Sequence, residues 1–418
     1  MNILVVSQYF WPENFRVNEL VAELVGRGHC VTVLTGQPNY PDGVVFPPYR
    51  QNPRDFDRYM GARVLRVPML PRGQGALRLA FNYLSFALSG CLIGAWKLRG
   101  QPVDVIFTFA PSPVTVGIPS GWLRRIKRAP QVFWVLDLWP DTLKAVGVVN
   151  SPRLLGVVGW LVRQVYRHCD LVLGQSRSFI DNIRHYATER TAVEYFPGWA
   201  EAGLQQEDVT PAPELPRRPE VFTIVFAGNI GDAQDFPAIL DAAERLRSRQ
   251  DIRWAIVGDG RMAPWVREQI DARQLDLSVV MLGRHPLERM PAFFAHADAL
   301  LVSLKDRPVF AMTIPGKLQA YLATGLPVLA MLNGEGARIV QDGNAGLVCA
   351  AGDAQGLADN VVRLAQMSAQ ERAAFGTNAR RLCATEFDRA ALISRLEGWF
   401  FELTAGSQER ADAQRERG

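Results

Sequence analysis

Short apolar runs alternate with helix-spaced segments along the first half of the chain. Residues 3–6 form one such run, and a second run follows Gly28 at residues 31–34. Between them, apolar side chains recur at the spacing of one helix face: Val17, Leu20, Val21, Leu24 and Val25. Further apolar runs occupy residues 103–109, 131–136 and 171–174. Because strands buried on both faces are apolar at every position, the pattern predicts the parallel sheet of an α/β domain.

Four prolines interrupt this pattern within residues 203–220: Pro211, Pro213, Pro216 and Pro219. The segment has almost nothing to bury and predicts a linker. Beyond it, six more apolar runs separated by helical stretches occupy residues 222–227, 254–257, 279–282, 299–304, 327–331 and 346–349. The predicted fold is therefore two Rossmann-like, doubly wound α/β domains that face each other across a cleft at the carboxyl ends of their sheets.

The predicted domain boundaries follow from these signals. A first domain spans residues 1–202, the linker 203–220, and a second domain 221–386. A final helix occupies 387–404, and the polar stretch 405–418 is predicted to be a flexible tail. A chain of 418 residues suits this organisation, because domains usually hold roughly 100–200 residues.

Composition narrows the class of protein. Hydrophobic residues make up 48% of the chain and the formal charge is only +4, which excludes wholesale disorder and does not indicate a nucleic-acid partner. The five cysteines are scattered without a short Cys-x-x-Cys spacing, so we expect neither a disulfide framework nor a zinc site. The chain begins without a basic leader, and its first apolar run ends at Val6. These features predict a protein of the reducing cytoplasm.

The stretch from Ala76 to Trp96 is apolar over about the length of a membrane-spanning helix, yet it contains Arg78 and Asn82. Three interpretations remain open: a transmembrane helix, a helix lying in the membrane interface, and an internal helix of the first domain. Cations flank it, and a second basic and aromatic patch occupies residues 122–128. Both suit an anionic leaflet, although ordinary solvated helix ends explain them equally well.

Two short loops of small residues follow strands of the second domain, at residues 227–231 and 258–260. Phosphate sites require such loops, because backbone amides and a helix amino terminus must approach the ligand. Neither loop completes a Gly-x-Gly-x-x-Gly motif, since residue 263 is alanine, which argues against a nicotinamide or flavin cofactor. Plain turn chemistry is the alternative for each loop.

A third candidate phosphate site lies between Ser303 and Gly325. This segment supplies Lys305, Arg307 and Lys317, and Lys317 is placed where a predicted helix begins. A helix amino terminus favours an anion, so the segment predicts a diphosphate site. The alternative is a surface loop with scattered cations.

Asp137 and Asp141 follow the predicted strand at 131–136, on the side where α/β sheets bind ligands. Asp137 is a candidate base or orienting group for a hydroxyl, or else a carboxylate that satisfies loop amides. Asp141 follows Pro140 and is a candidate helix cap. The five histidines lack a ligand-like spacing, and the Asp55-x-Asp57 pair is flanked by arginines that predict local ion pairing. We therefore expect no metal site.

Several long segments together resemble one enzyme family. They include VVSQYFWPENFRVNELVAELVGRGHCVTVLTGQPNYP, FWVLDLWPDTLKAVGVV, VFAGNIGDAQ and SLKDRPVFAMTIPGKLQAYLATGLPVLA. In this order they resemble GT-B-fold glycosyltransferases of family four, specifically the WbuB/WcaI-like enzymes of O-antigen and exopolysaccharide assembly, which are often linked to N-acetyl-L-fucosamine. The resemblance covers nearly the whole chain.

The resemblance implies retaining transfer of a sugar from a UDP-sugar, held by the second domain, to an acceptor held by the first. The implied acceptor is an undecaprenyl-diphosphate-linked saccharide at the cytoplasmic membrane face, and neither a cofactor nor a metal is implied. The final helix is expected to cross back to the first domain. Catalytic roles fall on Asp137 and Lys317. The implied donor-binding residues are Asn14, Arg16, Gly228, Asn229, Gln234, Gly258, Arg284, Lys305, Asp306, Pro315 and Gln319.

The chain also departs from the family pattern. Asn229 and Gln234 stand where the family carries an arginine and a lysine, and Asn14-Phe15 replaces paired glycines. The Glu-x7-Glu signature is missing, with Met312 and Ala320 at its positions. We expect Lys305, Arg307, Lys317 or Arg16 to make up the lost charge, and Gln319 or Asp306 to contact ribose and sugar hydroxyls. Two rival functions remain: a UDP-sugar 2-epimerase-like isomerase and a degenerate nucleotide-sugar-binding scaffold.

Overall fold

The computed structural model describes residues 1–73, 75–147, 149–200 and 209–415. It divides into two compact domains. The first domain comprises Met1–Phe196 together with the residues from Ala390 onward, and the second comprises Pro197–Arg389. The chain therefore leaves the first domain once and returns to it.

The first domain is built on an eight-stranded sheet with the order β3-β4-β2-β1-β5-β6-β7-β8. All neighbours pair in parallel except β3 and β4, which are antiparallel. The strands are β1 (Asn2–Val6), β2 (Cys30–Thr35), β3 (Arg58–Tyr59), β4 (Ala62–Arg66), β5 (Val105–Ala110), β6 (Gln131–Val135), β7 (Leu171–Gly174) and β8 (Ala192–Tyr195). Every residue of β5, β6 and β7 is buried, as the continuous apolar runs predict.

Helices cover this sheet. They are α1 (Arg16–Gly26), α2 (Pro47–Gln51), α3 (Ala76–Ser89), α4 (Ala95–Lys97), α5 (Gly117–Lys127), α6 (Asp141–Ala145), α7 (Pro152–Tyr166) and α8 (Phe179–Tyr186). A single π turn, Gly90–Gly94, joins α3 to α4, and short 3₁₀ turns occupy Pro53–Phe56 and Val114–Val116. Asp55 lies in the 3₁₀ turn Pro53–Phe56, and Asp57 follows it. The expected ion pairs with the flanking arginines are wrong, since neither carboxylate forms an ion pair in the described part of the chain.

The second domain contains a six-stranded parallel sheet with the order β11-β10-β9-β12-β13-β14. Its strands are β9 (Phe222–Ala227), β10 (Ile252–Val257), β11 (Val279–Gly283), β12 (Ala299–Ser303), β13 (Val328–Met331) and β14 (Gly346–Cys349). Its helices are α9 (Phe236–Arg245), α10 (Ala263–Ala272), α11 (Met290–Phe294), α12 (Pro308–Met312), α13 (Gly316–Thr324), α14 (Glu335–Asp342), α15 (Ala354–Gln366) and α16 (Ala369–Glu386). Phe226, Phe236 and Trp254 anchor its core.

The described part of the predicted linker packs on the second domain. Residues 209–220 contain no helix or strand, but Ala212 and Leu215 are buried. The Ala212 amide donates to the Ala292 carbonyl (3.0 Å), and Glu214 pairs with Arg289 (2.8 Å). The expectation that the segment has almost nothing to bury is thus wrong for these residues, while residues 203–208 lie outside the described residues.

The final helix, α17 (Arg389–Arg415), packs on the first domain. Phe400 is fully buried with its ring 6.0 Å from that of Phe107, and Glu397 bonds both Arg27 and His29 (2.6 Å to the His29 Nε2). The helix extends past residue 404, where the sequence predicts its end. Residues 416–418 of the predicted tail lie outside the described residues.

Candidate functional site

The two small-residue loops of the second domain lie against each other at the carboxyl edge of its sheet. Gly228 follows β9 with φ +135°, and Gly258 follows β10 with φ +146°, both in the region that favours glycine. A Cβ atom at Gly258 would lie 1.9 Å from the Gly228 carbonyl oxygen. No residue with a side chain fits there, so the two loops form a platform of exposed backbone. Such a platform allows a ligand to approach the backbone closely.

The Lys317 side chain reaches this platform from the first turn of α13. A Cβ atom at Gly228 would lie 3.3 Å from Lys317 Cε and 3.4 Å from its Nζ. The Nζ atom also lies 3.7 Å from the centre of the Phe226 ring. It is buried and has no hydrogen-bond partner among the described residues. This burial lowers the pKa of Lys317 to about 7.

Tyr321 anchors the helix that carries Lys317, and the sequence did not single it out. The two residues are one helical turn apart on the same face of α13. The Tyr321 hydroxyl donates to the Ala227 carbonyl (3.1 Å) and accepts from the Ala227 amide (2.9 Å), which ties α13 to the last residue of β9. The sequence offered one signal for Tyr321, its i, i+4 spacing from Lys317. It gave no sign of the hydrogen-bond partner of Tyr321, because the Ala227 backbone lies far away in the sequence.

Asp137 lies in the first domain, just beyond the carboxyl end of β6. Its carboxylate accepts from the Thr142 hydroxyl (2.5 Å) and from the Trp139 indole N–H (3.3 Å). Burial raises the pKa of Asp137, although these bonds act in the opposite direction. The local bonds match the interpretation that Asp137 satisfies its own loop, and they also hold its carboxylate in one orientation. Asp141 is the first residue of α6 and accepts from Asn182 Nδ2 (3.0 Å).

Glu13 is a second buried carboxylate at this edge of the first sheet, and the sequence did not single it out. It accepts from the backbone amides of Asn39 (2.7 Å), Tyr40 (2.7 Å) and Phe10 (3.1 Å). Burial raises its pKa, against the effect of these amides. Glu13 therefore joins the loops that follow β1 and β2. Asn14, which is exposed, and Arg16, the first residue of α1, follow directly on the same loop.

Comparisons with known proteins decide the family. Residues 14–199 match the model of the glycosyl transferase 4-like domain, and residues 221–367 match that of the group 1 glycosyl transferases. The chain belongs to the family-four glycosyltransferases. It is 26% identical to WcaI of Escherichia coli K12, named as a colanic acid biosynthesis glycosyl transferase, over 78% of this chain and 82% of WcaI. It is 23% identical to WcaL of the same organism, also named for colanic acid biosynthesis, over 56% and 57%.

Solved structures of other glycosyltransferases share the fold. Anabaena HepE, solved with UDP and glucose, has a TM-score of 0.68 at 16% identity and covers 96% of this chain and 100% of its own. Sucrose-phosphate synthase of Thermosynechococcus elongatus has a TM-score of 0.74 at 16% identity over 97% and 99%. These similarities confirm the predicted GT-B fold.

The amides that replace the family's two cations take different roles in this glycosyltransferase. Asn229 is exposed, and its side chain lies against Gly231 and Gly260, where Cβ atoms would approach it to 2.6 and 2.5 Å. Gln234 is used within its own loop, because its Oε1 accepts from the Gly231 amide (3.1 Å). Asn229 is exposed, whereas Gln234 is half-buried.

The other predicted donor-binding residues of the transferase divide by exposure and partner. Lys305 pairs with Asp232 (2.6 Å), and Asp306 accepts from Asn333 (3.0 Å), so both already have polar partners. Arg284 is exposed immediately after β11. Gln319 is only 1% exposed, and its contact with ribose or sugar hydroxyls stays a prediction. Pro315 is the N-cap residue of α13, two residues before Lys317.

One carboxylate of the transferase lies at the same sheet edge and was not predicted. Glu335 begins α14 and is buried, with an ion pair to Arg338 (2.7 Å). It follows Gly334, which has a φ of +71°. A Cβ atom at Gly334 would lie 2.0 Å from the Ala311 carbonyl oxygen. Within the ranges that the structure describes, no cluster of three His, Cys, Asp or Glu side chains is arranged to hold a metal ion.

Proposed function

We propose that this glycosyltransferase transfers a sugar from a UDP-sugar to an undecaprenyl-diphosphate-linked saccharide, with retention of configuration, in the assembly of a surface polysaccharide. UDP-N-acetyl-L-fucosamine is the proposed donor, and the cytoplasmic face of the membrane is the proposed place of work. Relatives support this assignment, since WcaI and WcaL are named for colanic acid biosynthesis. Structural neighbours include HepE with UDP-glucose and WaaG, a glycosyltransferase of lipopolysaccharide biosynthesis.

The buried ammonium of Lys317 carries the proposal. It lies beside exposed glycine backbone, over an aromatic ring, and has no anionic partner within the described residues. A buried cation is costly unless it is paired, so its retention points to an anion that arrives with a ligand. A diphosphate supplies that anion, and its charge would raise the pKa of Lys317 and keep the ammonium protonated.

Transfer requires stabilisation of the departing UDP. In the proposed step the bond between the donor's anomeric carbon and the phosphate oxygen breaks, and a bond from the same face to the acceptor oxygen forms. The acceptor hydroxyl proton passes to the departing phosphate oxygen. Negative charge grows on the diphosphate as the bond breaks, and a positioned cation in an apolar surrounding stabilises that charge most strongly. Lys317 and the amides of the Gly228 platform have this role, so we propose that no metal is needed.

Asp137 is the proposed orienting group for the acceptor hydroxyl. Its carboxylate is held in one orientation by Thr142 and Trp139, at the carboxyl edge of the first domain's sheet. Ser112 and the Leu138 backbone also hydrogen-bond this carboxylate, so an acceptor hydroxyl would join or replace one of these donors. A hydroxyl that donates to Asp137 would be oriented and made more nucleophilic before transfer.

The first experiment is a ligand-induced thermal shift with UDP, GDP, dTDP and their sugars. A ligand at about 100 times its Kd stabilises by roughly 2.7 kcal/mol. We expect a shift with UDP, enlarged by the correct UDP-sugar, and unchanged by a chelator. Wild-type protein, Lys317→Arg and Lys317→Met form a matched series: the arginine keeps the charge, and the methionine keeps only the length. The donor assignment would be overturned if none of the nucleotides produced a shift, or if UDP shifted Lys317→Met as much as the wild type.

The second experiment measures the reaction itself. The sugar that gives the largest shift is incubated with a synthetic polyprenyl-diphosphate saccharide, and NMR of the product reports the anomeric configuration. We expect the configuration of the donor to be kept. An inverted product would refute retention, and hydrolysis or epimerisation of the donor without transfer would refute the transferase reaction with this acceptor.

A further inference from the structure

A row of large apolar side chains runs along the outer face of α3 and α4. Successive members are three or four residues, about one helical turn, apart and are exposed by 55 to 78%: Leu77 (78%), Phe81 (59%), Leu84 (55%), Leu88 (65%), Leu92 (64%) and Trp96 (65%). Single exposed apolar residues are ordinary on protein surfaces, but a continuous row indicates a surface that binds something.

Two neighbouring helices enlarge this row into a face. Helix α5 lies between α3 and α7 and contacts both. It exposes Trp122 (45%) and Ile126 (48%), and α7 exposes Leu154 (56%), Val157 (62%) and Trp160 (61%). A groove of ≈ 250 Å³ opens between these helices and is lined by Cys91, Ile118, Trp122 and Leu161, with Arg125 and His168 as polar members. Because α3, the π turn and α4 form one continuous helix, we call the outer surfaces of this helix, α5 and α7 the three-helix face.

The charge of the three-helix face has one sign. Helices α3, α4, α5 and α7 and the π turn contain arginine and lysine but no Asp or Glu. Arg78, Arg125, Arg153 and Arg163 are exposed, and none of them forms an ion pair among the described residues. An apolar face with exposed cations and no acid complements a surface that is apolar below and anionic above.

The inner side of α3 is fixed to its domain. Asn82 is fully buried and accepts from Gln8 Nε2 (2.8 Å) and the Tyr9 hydroxyl (3.0 Å), while its own Nδ2 donates to the Leu70 carbonyl (2.6 Å). Gly94 packs closely against Leu34 of β2, because a Cβ atom at Gly94 would lie 2.9 Å from the Leu34 side chain. The helix Leu77–Lys97 is long and apolar enough to cross a membrane, with 33% of its most apolar window buried. Crossing would require breaking these buried contacts, so the packing favours a helix that lies flat.

We propose that the three-helix face docks on an anionic lipid bilayer, with Trp96, Trp122 and Trp160 at the level of the headgroups. This deepens the proposed function, on which it rests for the lipid-linked acceptor. A second copy of the chain is the other obvious occupant of an apolar face. A two-fold dimer, however, would place the cations of one copy against those of the other with no acid to pair them. A bilayer containing acidic lipids offers the complementary charge instead.

Vesicle flotation tests the proposal on the full-length protein. We expect the wild type to float with vesicles of phosphatidylglycerol and phosphatidylcholine, to float much less with phosphatidylcholine alone, and to be released by high salt. The double variant Leu88→Glu with Trp160→Glu should partition at least about tenfold more weakly, because each change removes a large apolar side chain from the membrane. The matched control is Leu277→Glu, since Leu277 is 90% exposed and belongs to the second domain.

The outcomes separate the alternatives. Equal flotation of the double variant and the control would overturn the proposal, as would a wild-type dimer that the double variant dissociates without any flotation. Circular dichroism and the UDP-induced thermal shift, measured without vesicles, report whether the variants are folded. Because flotation needs neither nucleotide nor acceptor, its failure leaves the UDP result standing, and failure of the UDP shift leaves the flotation result standing.

Discussion

Replacement of Lys317 by methionine should stabilise the enzyme without ligand and abolish its response to UDP. The lysine Nζ is buried between the Phe226 ring and Gly228 and has no hydrogen-bond partner among the described residues. Methionine has a similar length and is apolar, so it fills the same space without a charge. The variant thus removes one feature, the buried ammonium.

The size of the effect follows from the pKa. One pKa unit corresponds to about 1.4 kcal/mol, so the fall in the pKa of Lys317 from 10.5 to about 7 corresponds to about 5 kcal/mol of preference for the neutral amine. At pH 7, where about half of the folded chains carry the protonated lysine, the destabilisation relative to the unfolded chain is about 4 kcal/mol. For a domain of this size, removing it should raise the Tm by roughly 8–16 °C.

Differential scanning calorimetry with and without UDP measures both effects. Between pH 7 and 10.5 the unfolded chain holds a proton on Lys317 that the folded chain has lost, so wild-type stability should rise with pH across that window. Lys317→Met lacks this contribution, and its advantage should therefore shrink as the pH increases from 7. A lower Tm for Lys317→Met at pH 7, or an advantage that grows with pH, would refute the view that the ammonium is an uncompensated buried charge.

Four further predictions follow from the same contacts. The Kd for UDP should rise by up to about tenfold per pH unit above about 7, because the diphosphate requires the protonated lysine; a flat profile by calorimetric titration would contradict this. Asp137→Asn should lower kcat at least about 100-fold with little change in Tm, whereas a purely structural carboxylate would show the reverse. Tyr321→Phe should cost about 1–3 kcal/mol in urea unfolding and also weaken UDP binding, since the Ala227 peptide loses both bonds. Burial acts to raise the pKa of Glu397, but hydrogen bonds from His29 and Arg27 lower it overall. The stability from these pairs is therefore present above the unfolded pKa of the carboxylate and is lost as acid protonates it. Glu397→Gln should be less stable than the wild type at pH 7, and the difference in Tm should shrink on acidification.

Much of the fold was predictable because its signals are local. The fully buried strands β5, β6 and β9 are apolar at every position but one, and a run of that kind is typical of the middle of a parallel sheet. The strands that the sequence missed are β3 and β8, at the two edges of the first sheet, and β4, which lies next to β3. In β8, buried positions are absent and the sequence Ala-Val-Glu-Tyr is too short and mixed to be distinctive. Their pairing is decided by neighbours that lie far away along the chain.

The candidate site was predictable only in part. Gly228, Gly258 and Lys317 were identified from strand ends and a helix start, and the structure brings all three together. The partners of Gln234 and Lys305 were not predictable, because the Gly231 amide and the Asp232 carboxylate engage them through the exact course of one loop. The burial of Gln319 was not predictable either, because α13 is buried on all sides from residue 318 to residue 323.

The sequence by itself determined the α/β class, the two-domain repeat, the family and the strand ends where ligands bind, because apolar periodicity and motif order are written in consecutive residues. Only the tertiary structure decided which charged side chains are paired and which apolar side chains are exposed. Lys317 is an ordinary lysine until Phe226 and the Gly228 loop remove its water, and Leu88 is an ordinary core residue until its helix turns that side outward. Desolvation depends on what packs around a group in space, and those neighbours come from distant parts of the chain.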